Sequence, residues 1–272
     1  MTQIEGSSHQ LVQRRGGSVS SVFSLWYDQR MLTNFKMRTL YLSLLLLLMT
    51  PMSDAAELHN NVLAYIVNRF HRMAGNRMAR NQGGEFAFLM ALTPAECGQT
   101  NSAPHFNPGK SRRPSIVGSA NSFRNVPNSN YIAVYPNSGS RCSENKLLYP
   151  TENNQEIAAQ QFQNQLNQPV GCVILYTTYT PCLRSCFINM ENCTIIPALQ
   201  QPPFRDIWTE PTIHKYFVFS RIYKNDNNTT EYQRISGRLN EVQRAGFHIR
   251  RCDGAENAIN CIECTQPHYC IP

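Results

Sequence analysis

The stretch Val170–Tyr179, VGCVILYTTY, is the clearest strand in this 272-residue chain. β-Branched and aromatic side chains dominate it, and these residue types favour extended backbone. Pro181 follows one residue after its end, and proline suits the first turn of a helix. The stretch therefore predicts a strand that leads directly into a helix.

Strands and helices alternate on both sides of this stretch. Dense apolar runs predict four further strands, at 86–92, 131–135, 216–223 and 247–250. Apolar residues at helical spacing predict helices at 56–79, 144–148, 151–168 and 230–245. A helix between the last two strands allows these strands to run parallel, because a parallel pair needs a crossover connection. We therefore expect an α/β fold in which helices cover a five-stranded mixed sheet, with a long loop over 97–129.

Composition and charge leave several protein classes open. The chain is 42% hydrophobic and 16% charged, which is typical of a globular protein. Its length suits one domain of about 200 residues with extensions. The formal net charge of +7 suits nucleic acid or another anionic partner, but it suits an ordinary secreted protein equally well.

The region before residue 56 has the features of a secretory signal peptide. Arg38 precedes the apolar run Leu40–Met49, and Ser53 and Ala55 place small residues at the −3 and −1 positions of a cleavage site. The run is shorter than the roughly 20 residues that span a bilayer, so we expect no membrane span after cleavage. An uncleaved signal anchor is the alternative.

These features predict the domain organisation. Residues 1–36 are interpreted as a disordered upstream extension, and residues 37–55 as the signal peptide. Cleavage after Ala55 removes five of 25 basic and three of 18 acidic residues, which leaves a net charge of +5. We expect a secreted protein with a folded domain over 56–252 and a cysteine-rich tail over 253–272.

Secretion changes how the ten cysteines are interpreted, because most cysteines in an oxidising compartment form disulfides. Cys172 lies within the central strand and is interpreted as a buried thiol. Cys261 and Cys264 have metal-site spacing, but the secreted context favours disulfides. Three bridges of open connectivity are expected among Cys97, Cys193, Cys252, Cys261, Cys264 and Cys270. Glycosylation is expected at the N-x-[ST] sequons Asn192, Asn227 and Asn228.

Two short segments supply the groups that a catalytic zinc site needs. Cys142-Ser143-Glu144 leads into the predicted helix at 144–148, and Pro181-Cys182-Leu183-Arg184-Ser185-Cys186 follows the central strand. Three thiolates would hold the metal and leave its fourth position open. Cys182 and Cys186 are four residues apart and so share a helix face. Glu144 would lie near the metal as a proton-transferring group.

The alternative for these three cysteines is disulfide bonding, which is usual in secreted proteins. The position of the motifs favours the metal, because each begins a predicted helix after a strand and helix N-termini stabilise thiolates. Three further residues, His214, His248 and His268, are interpreted as isolated surface or structural histidines rather than metal ligands.

The motifs C-x-E and P-C-x-x-x-C resemble those of the AID/APOBEC branch of the zinc-dependent cytidine deaminases. Val173–Cys182, VILYTTYTPC, is similar to the strand of that branch that leads into S/T-P-C. Phe217–Tyr223, FVFSRIY, resembles its fourth strand and the A/S-R-[IL]-Y entry to a loop that contacts nucleic acid. With a signal peptide and additional cysteines, the region 57–252 most resembles the secreted AID/APOBEC-like deaminases.

The resemblance implies a three-layer α/β/α deaminase fold with a Zn²⁺ cofactor. Carried over by motif, the zinc ligands are Cys142, Cys182 and Cys186, and the catalytic proton-transferring residue is Glu144. The implied substrate-binding residues are Thr180, Arg221, Tyr223 and Lys224. Two features depart from the branch. It has H-x-E where this chain has C-x-E, as in free-nucleoside deaminases, and it commonly has two residues between the paired cysteines rather than three.

The sequence therefore predicts a secreted zinc-dependent hydrolase that converts cytosine to uracil in single-stranded DNA or RNA. Single strands are the easier substrates, because a stacked base must leave the duplex to reach the metal. Two alternatives stay open. One is a deaminase of free cytidine or deoxycytidine, and the other is a non-catalytic secreted binding protein stabilised by disulfides on the same fold.

Overall fold

The computed structural model describes most of the chain from residue 57 onward. The described residues are 40–41, 57–78, 86–100, 115–117, 130–134, 143–150, 156–184, 186–187, 194–223, 226, 228–255, 258–266 and 270–271. The chain divides into two units, Met1–Ser53 and Asp54–Pro272, and the described residues of the first are the helical Leu40 and Tyr41. Within the described ranges, no helix is both long and apolar enough to cross a membrane.

Within these described residues, seven strands form one mixed sheet in the order β2-β3-β1-β4-β5-β6-β7. The strands are β1 (Ala87–Leu92), β2 (Ser115–Val117), β3 (Tyr131–Val134), β4 (Cys172–Tyr179), β5 (His214–Arg221), β6 (Phe247–Asp253) and β7 (Asn260–Glu263). β4 pairs in parallel with β5, and β5 in parallel with β6. β1 is antiparallel to both β3 and β4, and β7 is antiparallel to β6. The parallel centre brings the carboxyl ends of β4 and β5 to the same edge of the sheet.

Helices cover both faces of this sheet. They are α1 (Asn60–Met78), α2 (Pro94–Cys97), α3 (Ser143–Leu148), α4 (Ala158–Gln165), α5 (Ile195–Leu199) and α6 (Thr229–Arg244), with a 3₁₀ turn at Ile207–Thr209. Alternate strand residues point to opposite faces. Val173 and Leu175 of β4 therefore join a core with α3 to α6, whereas Ile174 and Tyr176 join a second core with α1. The result is the expected three-layer α/β/α arrangement.

Local sequence explains the two longest helices. In α1, Val62, Ile66 and Phe70 recur every four residues and are buried against the sheet. α6 begins after Asn228, whose side-chain oxygen accepts a hydrogen bond from the Glu231 N–H at 3.0 Å and so caps the helix. Gly246 adopts φ 87° in the tight connection from α6 to β6, a conformation that favours glycine.

The five predicted strands are present, and the predicted parallel pairing of the last two is confirmed in β5 and β6. The strand count was too low, because β2 lies within the predicted loop over 97–129, and β7 lies within the predicted tail over 253–272. Both added strands are short and lie at the edges of the sheet, so their sequences carry a weak pattern.

The prediction that a regular helix begins at Pro181 was wrong for the described residues. Residues 183, 184 and 186 are in turns, residue 187 is in a bend, and residues 181 and 182 have no regular secondary structure. The Cys186 N–H nevertheless donates to the Cys182 carbonyl oxygen at 2.9 Å, which is the spacing of one helical turn. One turn suffices to place both cysteine side chains on the same side.

Three disulfides join described cysteines: Cys97–Cys172, Cys252–Cys261 and Cys264–Cys270. The interpretation of Cys172 as a buried thiol was therefore wrong. Its strand begins beside α2, where a Cβ on Gly171 would lie 2.4 Å from the Cα of Pro94. This close approach brings Cys172 to Cys97. Cys261 and Cys264 are both disulfide-bonded, as expected, but to separate partners.

Candidate active site

The carboxyl ends of β4 and β5 are joined by backbone and side-chain contacts at Thr180 and Tyr223. The Thr180 N–H donates to the Arg221 carbonyl oxygen at 2.7 Å, and the Thr180 hydroxyl oxygen accepts from the Tyr223 N–H at 3.1 Å. The rings of Tyr179 and Tyr223 meet edge to face with centroids 6.3 Å apart. Thr180 is buried, so its hydroxyl is a fixed link between the two strand ends.

The predicted cysteine pair lies directly after this link. The sulfurs of Cys182 and Cys186 are 3.3 Å apart. Two thiolates on one tetrahedral zinc lie about 3.8 Å apart, given Zn–S bonds of about 2.3 Å. The two sulfurs would therefore need to separate by only about half an ångström to share a metal.

Cys186 takes part in a disulfide whose partner lies outside the described residues. Zinc binds the thiolate form of cysteine. Zinc binding through both Cys182 and Cys186 therefore requires the reduced form of Cys186, and the ligand set depends on the redox state of this residue. Cys142, the third predicted ligand, also lies outside the described residues.

A buried aspartate holds the turn that carries Cys182. The Leu183 N–H donates to the Asp226 carboxylate at 2.8 Å, and both residues are about 2% exposed. Asp226 lies in the segment between β5 and α6, and its carbonyl oxygen accepts from the Asn228 N–H at 3.1 Å. The Cys182 turn is therefore attached through a side chain to the N-terminal end of α6.

Glu144, the predicted proton-transferring residue, is buried near the start of α3. The Thr177 hydroxyl donates a hydrogen bond to a Glu144 carboxyl oxygen and also lies 2.9 Å from the Tyr179 carbonyl oxygen. Thr177 belongs to β4, the strand that leads to Cys182. One strand thus positions the candidate acid and the turn that bears a candidate ligand.

The remaining predicted residues are placed as follows. Arg221 is exposed at the end of β5, and Tyr223 is partly buried. Asn228 is exposed and caps α6 with its side-chain oxygen, as described above. Lys224, Asn192, Asn227 and His268 lie outside the described residues.

A second titratable cluster lies on the α1 face of the sheet. Ligand atoms of Glu57, His248 and Glu263 lie within 4.8 Å of one another. Arg250, which is almost fully buried, forms ion pairs with both carboxylates, at 2.8 Å to Glu57 and 2.5 Å to Glu263. Because the Arg250 guanidinium already pairs with both carboxylates, a divalent metal would have to displace it, so this cluster is a poor metal site.

The histidines of the sheet are less isolated than expected. The rings of His214 and His248 are 5.4 Å apart, and burial, with His214 and Arg250 nearby, lowers the pKa of His248. His71 on α1 contacts the Tyr176 hydroxyl oxygen at 2.7 Å, which in turn lies 2.7 Å from the Ser220 hydroxyl oxygen. Burial, and to a lesser extent Arg221, lowers the pKa of His71 to about 4.

A family model described as Secreted Novel AID/APOBEC-like Deaminase 1 matches residues 60–271. The chain belongs to this family. No curated protein and no solved structure shows significant similarity to the chain. Family membership confirms the resemblance inferred from the motifs, and the match extends through β7 and beyond.

Sequence reasoning overlooked two residues of this site. Thr177 was interpreted as a strand former, although the two-residue period of β4 places it on the face that α3 covers. Asp226 is hard to recognise in the sequence, because Asn227 and Asn228 beside it begin sequons and the predicted helix starts at residue 230. An acidic residue just before a helix is a common N-terminal signal, but its contact with Leu183 depends on the packed structure.

Proposed function

We propose that this protein is a secreted zinc-dependent hydrolase that converts cytosine to uracil and ammonia, with single-stranded DNA or RNA as substrate. The supporting observation is that β4 positions both parts of the candidate site. Thr177 of β4 donates a hydrogen bond to Glu144, and the turn that carries Cys182 and Cys186 follows the end of the strand. Family membership supports the reaction type. The three described disulfides and the family's description support secretion.

The proposed zinc ligands are Cys142, Cys182 and Cys186 in their thiolate forms. Zinc, when bound, supplies Lewis acidity that makes a water molecule a competent nucleophile near neutral pH. The ligand set is all sulfur, which is a donor set that zinc accepts.

Residues of the protein itself would transfer the protons in this reaction. Glu144 accepts the proton that the attacking water loses and delivers it to the amino group, which leaves as ammonia. The Thr177 hydroxyl orients this carboxyl group, and burial keeps bulk water from competing for the proton. Thr180 and Tyr223 form one edge of the base pocket, and Arg221 lies exposed beside them for contact with a phosphate.

The test is a deamination assay on the secreted chain, with cytosine-containing oligonucleotides and free cytidine as parallel substrates, together with zinc analysis. Glu144→Gln keeps the size of the side chain and should lower the deamination rate by about 10²- to 10⁴-fold while zinc content stays unchanged. Cys182→Ser should lose zinc. Activity on cytidine alone would replace the polynucleotide substrate with a free nucleoside.

One result would overturn the proposal, and a second would remove one of its proposed zinc ligands. A zinc-loaded protein that forms no uracil from any cytosine substrate is not a cytosine deaminase. An active protein in which thiol counting by mass spectrometry finds Cys186 in a disulfide would exclude Cys186 as a ligand.

A further inference from the structure

A pocket of about 370 Å³ lies between the outer face of α6 and the turn that carries Cys182. Its lining is Leu183, Arg234, Gly237, Arg238, Glu241 and Arg244. We propose that this α6 groove binds the phosphodiester backbone of single-stranded nucleic acid. Its role in presenting a base to Glu144 rests on the proposed function, but its binding of the strand does not.

The first argument is the charge of the groove. Three guanidinium groups and one carboxylate line it. Arg234 contacts Glu231, and Arg238 contacts Glu241, in both cases through Nη1 alone. These ion pairs therefore leave the Nε and Nη2 edge of each guanidinium unused, and that edge can bind a phosphate with two hydrogen bonds.

The second argument is the geometry of the arginine row. Arg234, Arg238 and Arg244 follow one helix, so the row is about 15 Å long at 1.5 Å per residue. That length exceeds the distance between neighbouring phosphates of a strand, so the row can contact more than one of them. Arg234 and Arg238 have side chains 51% and 37% exposed, which leaves them accessible to a ligand.

The third argument is Gly237, which lies mid-helix in α6 and lines the groove. A Cβ at this position would meet no atom within 4 Å, and the backbone there is helical. Glycine is among the least favourable residues in a helix, and neither packing nor backbone conformation requires it here. The missing side chain does, however, keep the floor of the groove open between the arginines.

The position of the groove favours nucleic acid over an acidic protein segment. Leu183 belongs both to the groove and to the turn with Cys182, so a strand in the groove passes directly beside the candidate site.

The test measures binding of a fluorescein-labelled 20-nucleotide single strand by anisotropy over a range of salt concentrations. The double variant Arg234→Gln/Arg238→Gln should bind about tenfold more weakly, and its salt slope should fall by about 1.4, since each lost phosphate contact lowers the slope by about 0.7. Glu241→Gln, which removes the carboxylate that lines the groove, should bind more tightly.

Gly237 supplies a matched pair of variants. Gly237→Ala should raise the melting temperature and weaken binding only slightly, because it adds a single methyl group to the groove. Gly237→Glu should weaken binding strongly, because it fills the groove with a negative side chain. The inference is overturned if the double arginine variant binds with wild-type affinity and salt slope, or if polyglutamate displaces the oligonucleotide as effectively as an unlabelled single strand does.

Binding and catalysis can fail separately in these experiments. Loss of binding in the arginine variants of a protein that deaminates nothing supports the groove and removes the proposed function. If the arginine substitutions and Gly237→Glu leave the rate of oligonucleotide deamination unchanged, the result supports the proposed function and refutes the proposed role of the groove.

Discussion

Replacing Asp226 by alanine should destabilise the protein and loosen the candidate metal site. The Asp226 carboxylate accepts the Leu183 N–H at 2.8 Å, and both residues are about 2% exposed. A hydrogen bond to a charged group contributes about 1.5–3 kcal/mol, and a buried N–H left without a partner costs a similar amount. We therefore expect Asp226→Ala to lower the free energy of unfolding by about 2–3 kcal/mol.

Urea unfolding measures this loss, and the chain offers a control of the same chemistry. Asp206 also accepts a backbone N–H, that of Ile207 at 2.7 Å, but on an exposed turn. Asp206→Ala should cost at most about 1 kcal/mol, because water replaces the lost partner. Asp226→Asn keeps an acceptor oxygen and should recover part of the loss.

The functional consequence follows from the position of Leu183. Because Leu183 directly follows Cys182, Asp226→Ala should also lower the zinc content of the purified protein. The reasoning is refuted if Asp226→Ala costs no more stability than Asp206→Ala.

Two further predictions concern stability. His71 has a folded-state pKa of about 4, below its ordinary 6.5, so the unfolded chain binds a proton that the folded chain excludes. Its contribution is fully present above pH 6.5 and is lost as the pH falls toward 4, about 2 kcal/mol between pH 8 and pH 5. Urea midpoints should show this slope, and it should flatten in His71→Gln. Cys97→Ala/Cys172→Ala opens a bridge between residues 75 apart and should cost about 4 kcal/mol, compared with about 2 kcal/mol for Cys264→Ala/Cys270→Ala, whose partners are six apart. Equal losses for the two double variants would contradict the loop-length argument.

Much of the architecture could be predicted from local patterns. The apolar run at 170–179 predicts a strand, and the helical spacing at 230–245 predicts a helix. Both predictions work because the residues that become buried form a recognisable apolar pattern in the sequence. β2 and β7 were not predicted, because a short strand at the edge of a sheet pairs with one other strand and has a weak apolar pattern. The turn after Pro181 was predicted as a longer helix because proline marks a helix start but says nothing of its length.

The sequence by itself determined the order of five of the seven described strands and of four described helices, the spacing of Cys182 and Cys186, and the place of Glu144 near a helix start. Only the tertiary structure decided that Asp226 reaches Leu183, that Cys172 pairs with Cys97, and that the arginines of α6 border the Cys182 turn. The physical reason is that local patterns record how each segment is buried. Contacts between distant segments depend instead on which strands lie side by side, and here the parallel pairing of β4 with β5 sets that arrangement.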